Sequence, residues 1–304
     1  MNDFQPAVSD SRRFIDPETL VRIASLELVA RTVVEGFISG LHRSPHLGFS
    51  VNFAEHRAYH PGDDIRKIDW NVYGRTGRFY VKEYEGETNT SLHILLDCSR
   101  SMSYGSKGIT KLEYGQFLAA SLGYFAFKQR DSIGYVSYDE DLLEYIPARG
   151  STGHLNTVLH AIERAEAGRK TDFIKSLVKV SERLRRRGIV VVISDLYDEP
   201  AHVMNGLRHL AFRGHDVIVF QVLDHAELQF DFAAAAQFVD METRAEMHVL
   251  PEYMRSQYRI LLGKQIEENE RECRKDRIDF SLIDTSTPLD SALFSYLVRR
   301  EQLY

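Results

Sequence analysis

The run Asp97-Cys98-Ser99-Arg100-Ser101 sets a carboxylate and two hydroxyls at alternate positions, directly after the apolar stretch 92–96. Two further oxygen donors occupy comparable places. Thr171 lies in the loop Gly168-Arg169-Lys170-Thr171-Asp172, and Asp195 closes the apolar stretch 189–194. Two carboxylates and three hydroxyls are all hard oxygen donors, the set that six-coordinate Mg2+ or Mn2+ prefers. Hydroxyls are weak ligands, so such a site keeps water positions and holds its metal loosely until a further anion arrives. The simpler role for Asp97 and Ser99 is to satisfy backbone donors in the loop that follows them.

Those residues need a frame that brings strand ends together. In an open α/β sheet, ligands bind beyond the carboxyl ends of the strands, where the strand order reverses. From residue 91 the chain alternates in this way. Strands are expected at 92–96, 132–138, 189–194, 215–222 and 278–283, with a hairpin partner at 142–146. Helices are expected at 110–129, 154–165, 172–187, 200–212, 251–277 and from 287 onward, the first opened by the capping box Thr110-Lys111-Leu112-Glu113. Apolar strands separated by helices predict a doubly wound, mostly parallel α/β domain over 91–304. A hairpin is expected around 240–244. Arg185, Arg186 and Arg187 read as the basic close of a helix, and the charged helix 251–277 as a solvated face.

Upstream, residues 1–40 read as a polar lead followed by an amphipathic helix over 17–39, with Leu20, Leu28, Val29, Thr32, Val33 and Phe37 among its apolar positions. Residues 41–90 carry Gly and Pro punctuation and many aromatics, the pattern of a small β-rich element. Its most distinctive part runs from Glu55 to Trp70, EHRAYHPGDDIRKIDW. Pro61-Gly62 forms a turn, and Asp63 can bond back to turn amides. Arg57, Arg66, Asp64 and Asp69 can pair, with Tyr59 and Trp70 filling a small core. A functional alternative makes Arg57, Asp64 and Arg66 a docking edge for a partner.

The five positions Asp97, Ser99, Ser101, Thr171 and Asp195 resemble the metal-ion-dependent adhesion site (MIDAS) of the von Willebrand factor A (vWA) fold. That resemblance implies that Ser99, Ser101 and Thr171 touch the metal, and that Asp97 and Asp195 act directly or through water. It also implies an open position for a partner's carboxylate. Asp195 departs from the pattern in being followed by Leu196-Tyr197-Asp198 rather than glycine, and Arg100 sets a cation beside the site. The 55–70 block, Val81–Glu85 and the terminal helix resemble the bacterial DUF58 family, in which a short β-rich element precedes a vWA-type domain. The resemblance covers about residues 30 to 304. It implies a partner of a MoxR-type AAA+ ATPase, acting in chaperone-like assembly or maturation of a client that offers an acidic side chain.

Composition narrows the alternatives. The chain has 304 residues with 38 Lys+Arg against 44 Asp+Glu, a net charge of −6. That balance argues against general nucleic-acid coating, which needs a basic stripe. Two distant cysteines, Cys98 and Cys273, exclude a disulfide scaffold and a cysteine-based zinc module. Residues 1–13 lack the apolar centre of a signal peptide, and no stretch reaches the roughly 18 apolar residues of a membrane span. The expectation is a cytoplasmic protein. There is no P-loop, no H-E-x-x-H and no nucleophile elbow. The MIDAS and DUF58 resemblances imply a non-enzymatic, metal-dependent interaction module. The contrasting readings are a Mg2+- or Mn2+-dependent phosphoester hydrolase, with Asp63, Asp64 or Asp69 near the same site, and a purely structural vWA-like domain.

Overall fold

The computed structural model describes residues 17–21, 25–42, 55–58, 73–74, 77–83, 90–168, 172–232, 236–239, 246–249, 251–290 and 293. The chain divides into two compact units, residues 1–38 with 90–304, and residues 39–89. The N-terminal helical region is interrupted, which corrects the single helix expected over 17–39. Helix α1 is Pro17–Leu20 and α2 is Leu26–His42. Ser25 lies outside both, and its hydroxyl accepts from the Leu28 N–H at 3.4 Å, helping to start the second helix. Helix α2 buries Leu26, Val29, Ala30, Val33, Val34 and Phe37, a stripe at the helical period. Leu28, expected in that stripe, is exposed instead.

In the smaller unit, β1 (Glu55–Ala58) pairs antiparallel with β2 (Tyr80–Glu83), Arg57 lying opposite Val81. The rings of Tyr73 and Phe79 stack with centroids 4.4 Å apart.

The larger unit begins with β3 (Ser91–Asp97), followed by a 3-10 turn at Arg100–Ser103 and α3 (Lys111–Lys128). Strands β4 (Ser132–Tyr138) and β5 (Leu142–Arg149) precede α4 (Thr152–Glu163) and α5 (Phe173–Arg183). Then come β6 (Ile189–Ser194), α6 (Pro200–Phe212), β7 (Asp216–Leu223) and the short α7 (His225–Gln229). Strands β8 (Ala236–Val239) and β9 (Glu246–Val249) form the hairpin anticipated around 240–244. Helix α8 (Pro251–Lys275) leads to β10 (Asp279–Asp284).

Six of these strands form one sheet in the order β10-β7-β6-β3-β4-β5. All neighbours are parallel except β4 and β5, so the expected doubly wound α/β architecture is the observed one. Alternate strand residues supply two apolar faces. On one face Leu95, Val136, Val190, Val192, Val217 and Val219 meet Phe173, Leu177 and Val180 of α5 and Val203, Leu207 and Leu210 of α6. On the other face α3 comes very close. A Cβ on Gly115 would stand 3.0 Å from Leu96 Cδ1 and 3.3 Å from Ile193 Cγ2, so glycine allows that approach. Phe37 of α2 meets Phe125 of α3 edge to face at 6.1 Å.

The capping box of α3 forms as the residues dictate. Glu113 N–H donates to Thr110 Oγ1 at 3.1 Å, and Thr110 N–H to Glu113 Oε2 at 2.8 Å. Such a cap contributes about 1 kcal/mol, and it fixes the orientation of Lys111, the first residue of the helix. One expectation is corrected at α5. The helix ends at Arg183, and buried Leu184 turns the chain toward β6, so Arg185, Arg186 and Arg187 lie beyond it. Arg187 instead packs over Gly214, where a Cβ would stand 2.9 Å from its Nε. Among the described residues, no helix is long and apolar enough to cross a membrane.

Candidate metal centre

The chain leaves β3 toward β4 on one side of the sheet, while β6 lies on the other side of β3. The crevice beyond the carboxyl ends of β3 and β6 is thus the switch point. Asp97 ends β3 and Asp195 follows β6, and both are buried. The aspartates are part of a wider pattern. Each of the five parallel strands ends on, or one residue before, an aspartate: Asp97, Asp139, Asp195, Asp224 and Asp284.

Asp97 is held on both oxygens. Its Oδ1 accepts from Ser99 N–H at 2.8 Å and its Oδ2 from Ser194 Oγ at 2.6 Å. Burial, and secondly the charge of Asp195, push its pKa up to about 7, against the lowering effect of Ser194 and Ser99. The chain turns sharply after Ser99, with Met102 N–H donating to Ser99 O at 3.1 Å and the Met102 side chain fully buried as an anchor. That turn sets Ser99 Oγ 3.1 Å from Ser101 Oγ. The backbone role considered for Asp97 is therefore real, and the same turn brings the two hydroxyls together.

Asp195 has a different partner. Lys111, fully buried, donates to Asp195 Oδ2 and to Glu227 Oε1, each at 2.9 Å. Burial by itself lowers the Lys111 pKa, but the two carboxylates outweigh it, and the ammonium is held above the ordinary lysine value. The ring of Tyr197 lies 4.6 Å from the ammonium and that of Tyr104 5.9 Å, so aromatic faces complete its surroundings. Glu227 is itself oriented by a second capping box, in which its Oε2 accepts from Asp224 N–H at 2.9 Å.

The loop after Ser101 is tied down from the far side of the sheet. Asp224 accepts from Ser106 N–H at 3.0 Å and from Ser106 Oγ, and also from Ala226 N–H and Thr285 Oγ1. The opposite wall is formed by Gly168, whose N–H donates to Cys98 O at 2.7 Å. A Cβ there would come within 2.7 Å of Asp139 Oδ2.

Four of the five expected metal ligands, Asp97, Ser99, Ser101 and Asp195, therefore gather at one strand-end crevice. Thr171, Asp64 and Arg66 lie outside the described residues, as do Asp63 and Asp69. Arg57 is on β1, with its backbone paired as given above. Lys111, Ser194, Glu227 and Asp224 were not singled out by sequence reasoning. Lys111 had a legible signal, since a lysine at the first turn of a helix opposes the macrodipole unless acids surround it. Asp224-His225-Ala226-Glu227 carried a capping-box spacing.

Cys98, which its place in the loop marks as a position exposed to oxidation, is wholly buried, with Sγ 3.7 Å from Leu96 O. Burial first, and then Asp97, raise its thiol pKa far above the ordinary value. Among the described residues, no three His, Cys, Asp or Glu side chains gather around a common point suited to a metal. The candidate centre is thus hydroxyl-rich. A Ser-His-Asp trio does occur at the end of β10, but His225 Nδ1 faces both Asp284 Oδ2 at 2.8 Å and Ser286 Oγ at 3.4 Å. One ring nitrogen serving both partners cannot relay a proton between them.

Residues 55–270, well over half of the chain, match the family described as "Protein of unknown function DUF58". This chain belongs to the DUF58 family. The DUF58 chain is 27% identical to the uncharacterized protein Rv1480 of Mycobacterium tuberculosis over 231 residues, 75% of this chain and 72% of that one. The uncharacterized protein Mb1516 of Mycobacterium bovis matches to the same extent. Among solved structures, the conserved hypothetical protein BatB from Bacteroides thetaiotaomicron is 15% identical, with a TM-score of 0.47, over 70% of this chain and 99% of that one. The SpRpn10 VWA domain is 11% identical, with a TM-score of 0.40, over 68% and 94%. The sheet order and its single antiparallel edge give the larger unit of this DUF58 chain a vWA-type architecture.

Proposed function

We propose that this DUF58 chain is a non-enzymatic, divalent-cation-dependent protein-interaction module. The observation that carries the reading is the pair of hydroxyls, Ser99 Oγ and Ser101 Oγ, 3.1 Å apart beside two buried carboxylates. Adjacent ligands of an octahedral Mg2+ with metal–oxygen bonds of about 2.1 Å stand about 3.0 Å apart. The hydroxyls are therefore already spaced as neighbours in such a shell. Ser99 and Ser101 would hold the ion, with Asp97 and Asp195 supplying the negative charge behind them. The MIDAS resemblance adds Thr171. The mutual repulsion of Asp97 and Asp195 is also what a cation relieves.

A bound Mg2+ or Mn2+ supplies one electrophilic position for an oxygen anion. The chain's own part is to hold the hydroxyls at that spacing and keep the carboxylates dry. Ser194 and the Ser99 amide fix the rotamer of Asp97, and buried Met102 fixes the loop. A partner carboxylate fits the open position best, because a hydroxyl-rich shell leaves the cation under-neutralised. The DUF58 resemblance supports a MoxR-type AAA+ ATPase as partner and an acidic side chain on a client. Both cysteines are free, in keeping with action in the reducing cytoplasm.

The test is thermal unfolding of the full chain during Mg2+ and Mn2+ titration, beside a Ser99→Ala/Ser101→Ala variant. The wild type should gain stability with metal and the variant should not. A parallel pull-down of the AAA+ ATPase from the same organism should succeed with metal and fail with EDTA. A wild type indifferent to both metals, or capture unaffected by EDTA, overturns the reading.

A further inference from the structure

Lys111 is a buried cation that the proposed metal shell does not use. Its place is unusual on two counts. An ammonium at the first residue of an α-helix faces the positive end of the macrodipole, and a fully buried charge is costly unless paired. The structure offsets both with two carboxylates at 2.9 Å, Asp195 from the end of β6 and Glu227 from α7, and with the face of Tyr197. Asp195 is also one of the two acids expected behind the divalent cation. Its two oxygens are already divided: Oδ2 receives the ammonium, while Oδ1 accepts a long bond of 3.4 Å from Tyr197 N–H.

We propose that Lys111 is the resident counter-cation of the crevice, a specificity-determining residue that neutralises Asp195 and thereby keeps the divalent-cation affinity of the site low. The inference rests on the metal-dependent reading above and deepens it. With Lys111 in place, its ammonium offsets part of the charge that Asp195 would otherwise present to a metal, so the ion is held firmly only when a partner adds a carboxylate. Glu227 moderates the effect, because it shares the ammonium with Asp195. The coupling is local and electrostatic, running through one ammonium and the two carboxylates it bridges.

The consequence is a pair of opposite predictions from two substitutions on different elements. Lys111→Met removes the cation, so the full charge of Asp195 reaches the metal. Glu227→Gln leaves the cation but takes away one of its two acids, so Lys111 bears harder on Asp195. The experiment uses the full chain, stripped with EDTA and then dialysed, titrated with MnCl2 while free Mn2+ is followed by electron paramagnetic resonance. Thermal unfolding is recorded in EDTA and at saturating Mn2+.

Lys111→Met should bind Mn2+ at least tenfold more tightly than wild type, unfold at a lower temperature in EDTA, and recover more of its stability on metal addition. Glu227→Gln should bind Mn2+ several-fold more weakly. A folded Lys111→Met protein that binds no more tightly than a binding-competent wild type overturns the proposal, as does tighter binding by Glu227→Gln. Should Lys111→Met fail to fold, the direction of change in Glu227→Gln decides alone. Mn2+ binding by Lys111→Met where wild type shows none supports the proposal. Binding by neither protein brings down the metal-dependent reading itself, and the role of Lys111 with it.

Discussion

Removing one buried imidazole should flatten the acid side of the stability profile by a predictable amount. His93 lies on β3 with 5% exposure, its ring edge to face with that of His215 at 6.4 Å. Burial, and secondly His215, lower its pKa from 6.5 to about 4. The unfolded chain therefore binds a proton here that the folded chain refuses. Stability from this group is complete above pH 6.5 and is lost as the pH falls toward 4. Between pH 7.5 and pH 5 the loss is RT ln[(1 + 10^1.5)/(1 + 10^−1)], about 2 kcal/mol, and over the whole window it is about 3 kcal/mol. Other groups act in the same range. Asp131, pushed up to about 6 by burial, and Asp97 near 7 gain protons in the folded state and oppose the trend.

A double difference cancels those groups. Urea unfolding of wild type and His93→Gln is compared at pH 7.5 and pH 5, both in EDTA. The variant can be less stable throughout, since a packed ring is lost. Its stability change between the two pH values should nevertheless be about 2 kcal/mol more favourable than that of wild type. Equal pH dependence in the two proteins refutes the claim that this ring is kept neutral by burial.

The crevice and its loop offer two further checks. Gly168→Ala places a methyl 2.7 Å from Asp139 Oδ2 and 3.6 Å from Cys98 O. The buried Asp139 carboxylate or the loop must shift, so stability should fall by about 1–3 kcal/mol and, on the metal-dependent reading, Mn2+ binding should weaken, as read by urea unfolding and metal titration. An unchanged midpoint rules out the tight approach. Cys98 should resist a thiol-specific reagent in the native protein and react readily in urea, because burial and Asp97 suppress its thiolate. Rapid native labelling at Cys98, mapped by mass spectrometry, contradicts that packing.

The larger unit was legible because its signals are local and repeated. Apolar stretches such as 189–194 became buried strands, and Thr110 with Glu113 formed the cap their spacing implied. Asp97, Ser99 and Ser101 belong to one turn, so their proximity follows from three consecutive odd positions. What the spacing could not convey is what lies across the sheet. Lys111 and Glu227 are 116 residues apart, and their meeting depends on where α7 leaves β7. The interruption before α2 was hidden for a different reason. Leu28 continues the apolar periodicity in sequence, yet the helix restarts after Ser25 with Leu26, Val29 and Val33 inward.

The anchoring of Ser106 bears on when the site can exist. The loop that holds Ser99 and Ser101 is synthesised early, but its clasp on Asp224 is 118 residues later, and Thr285, which completes that clasp, is 61 later still. Tyr114, at the start of α3, likewise donates to Thr287 O at 2.9 Å. A nascent chain that has emerged only as far as Asp195, the residue after β6, already contains every expected ligand, without the residues that hold the loop shut. On the metal-dependent reading proposed above, competence to take a cation would be a late event of biosynthesis, and a truncation before β7 would preserve the motif while losing its clasp.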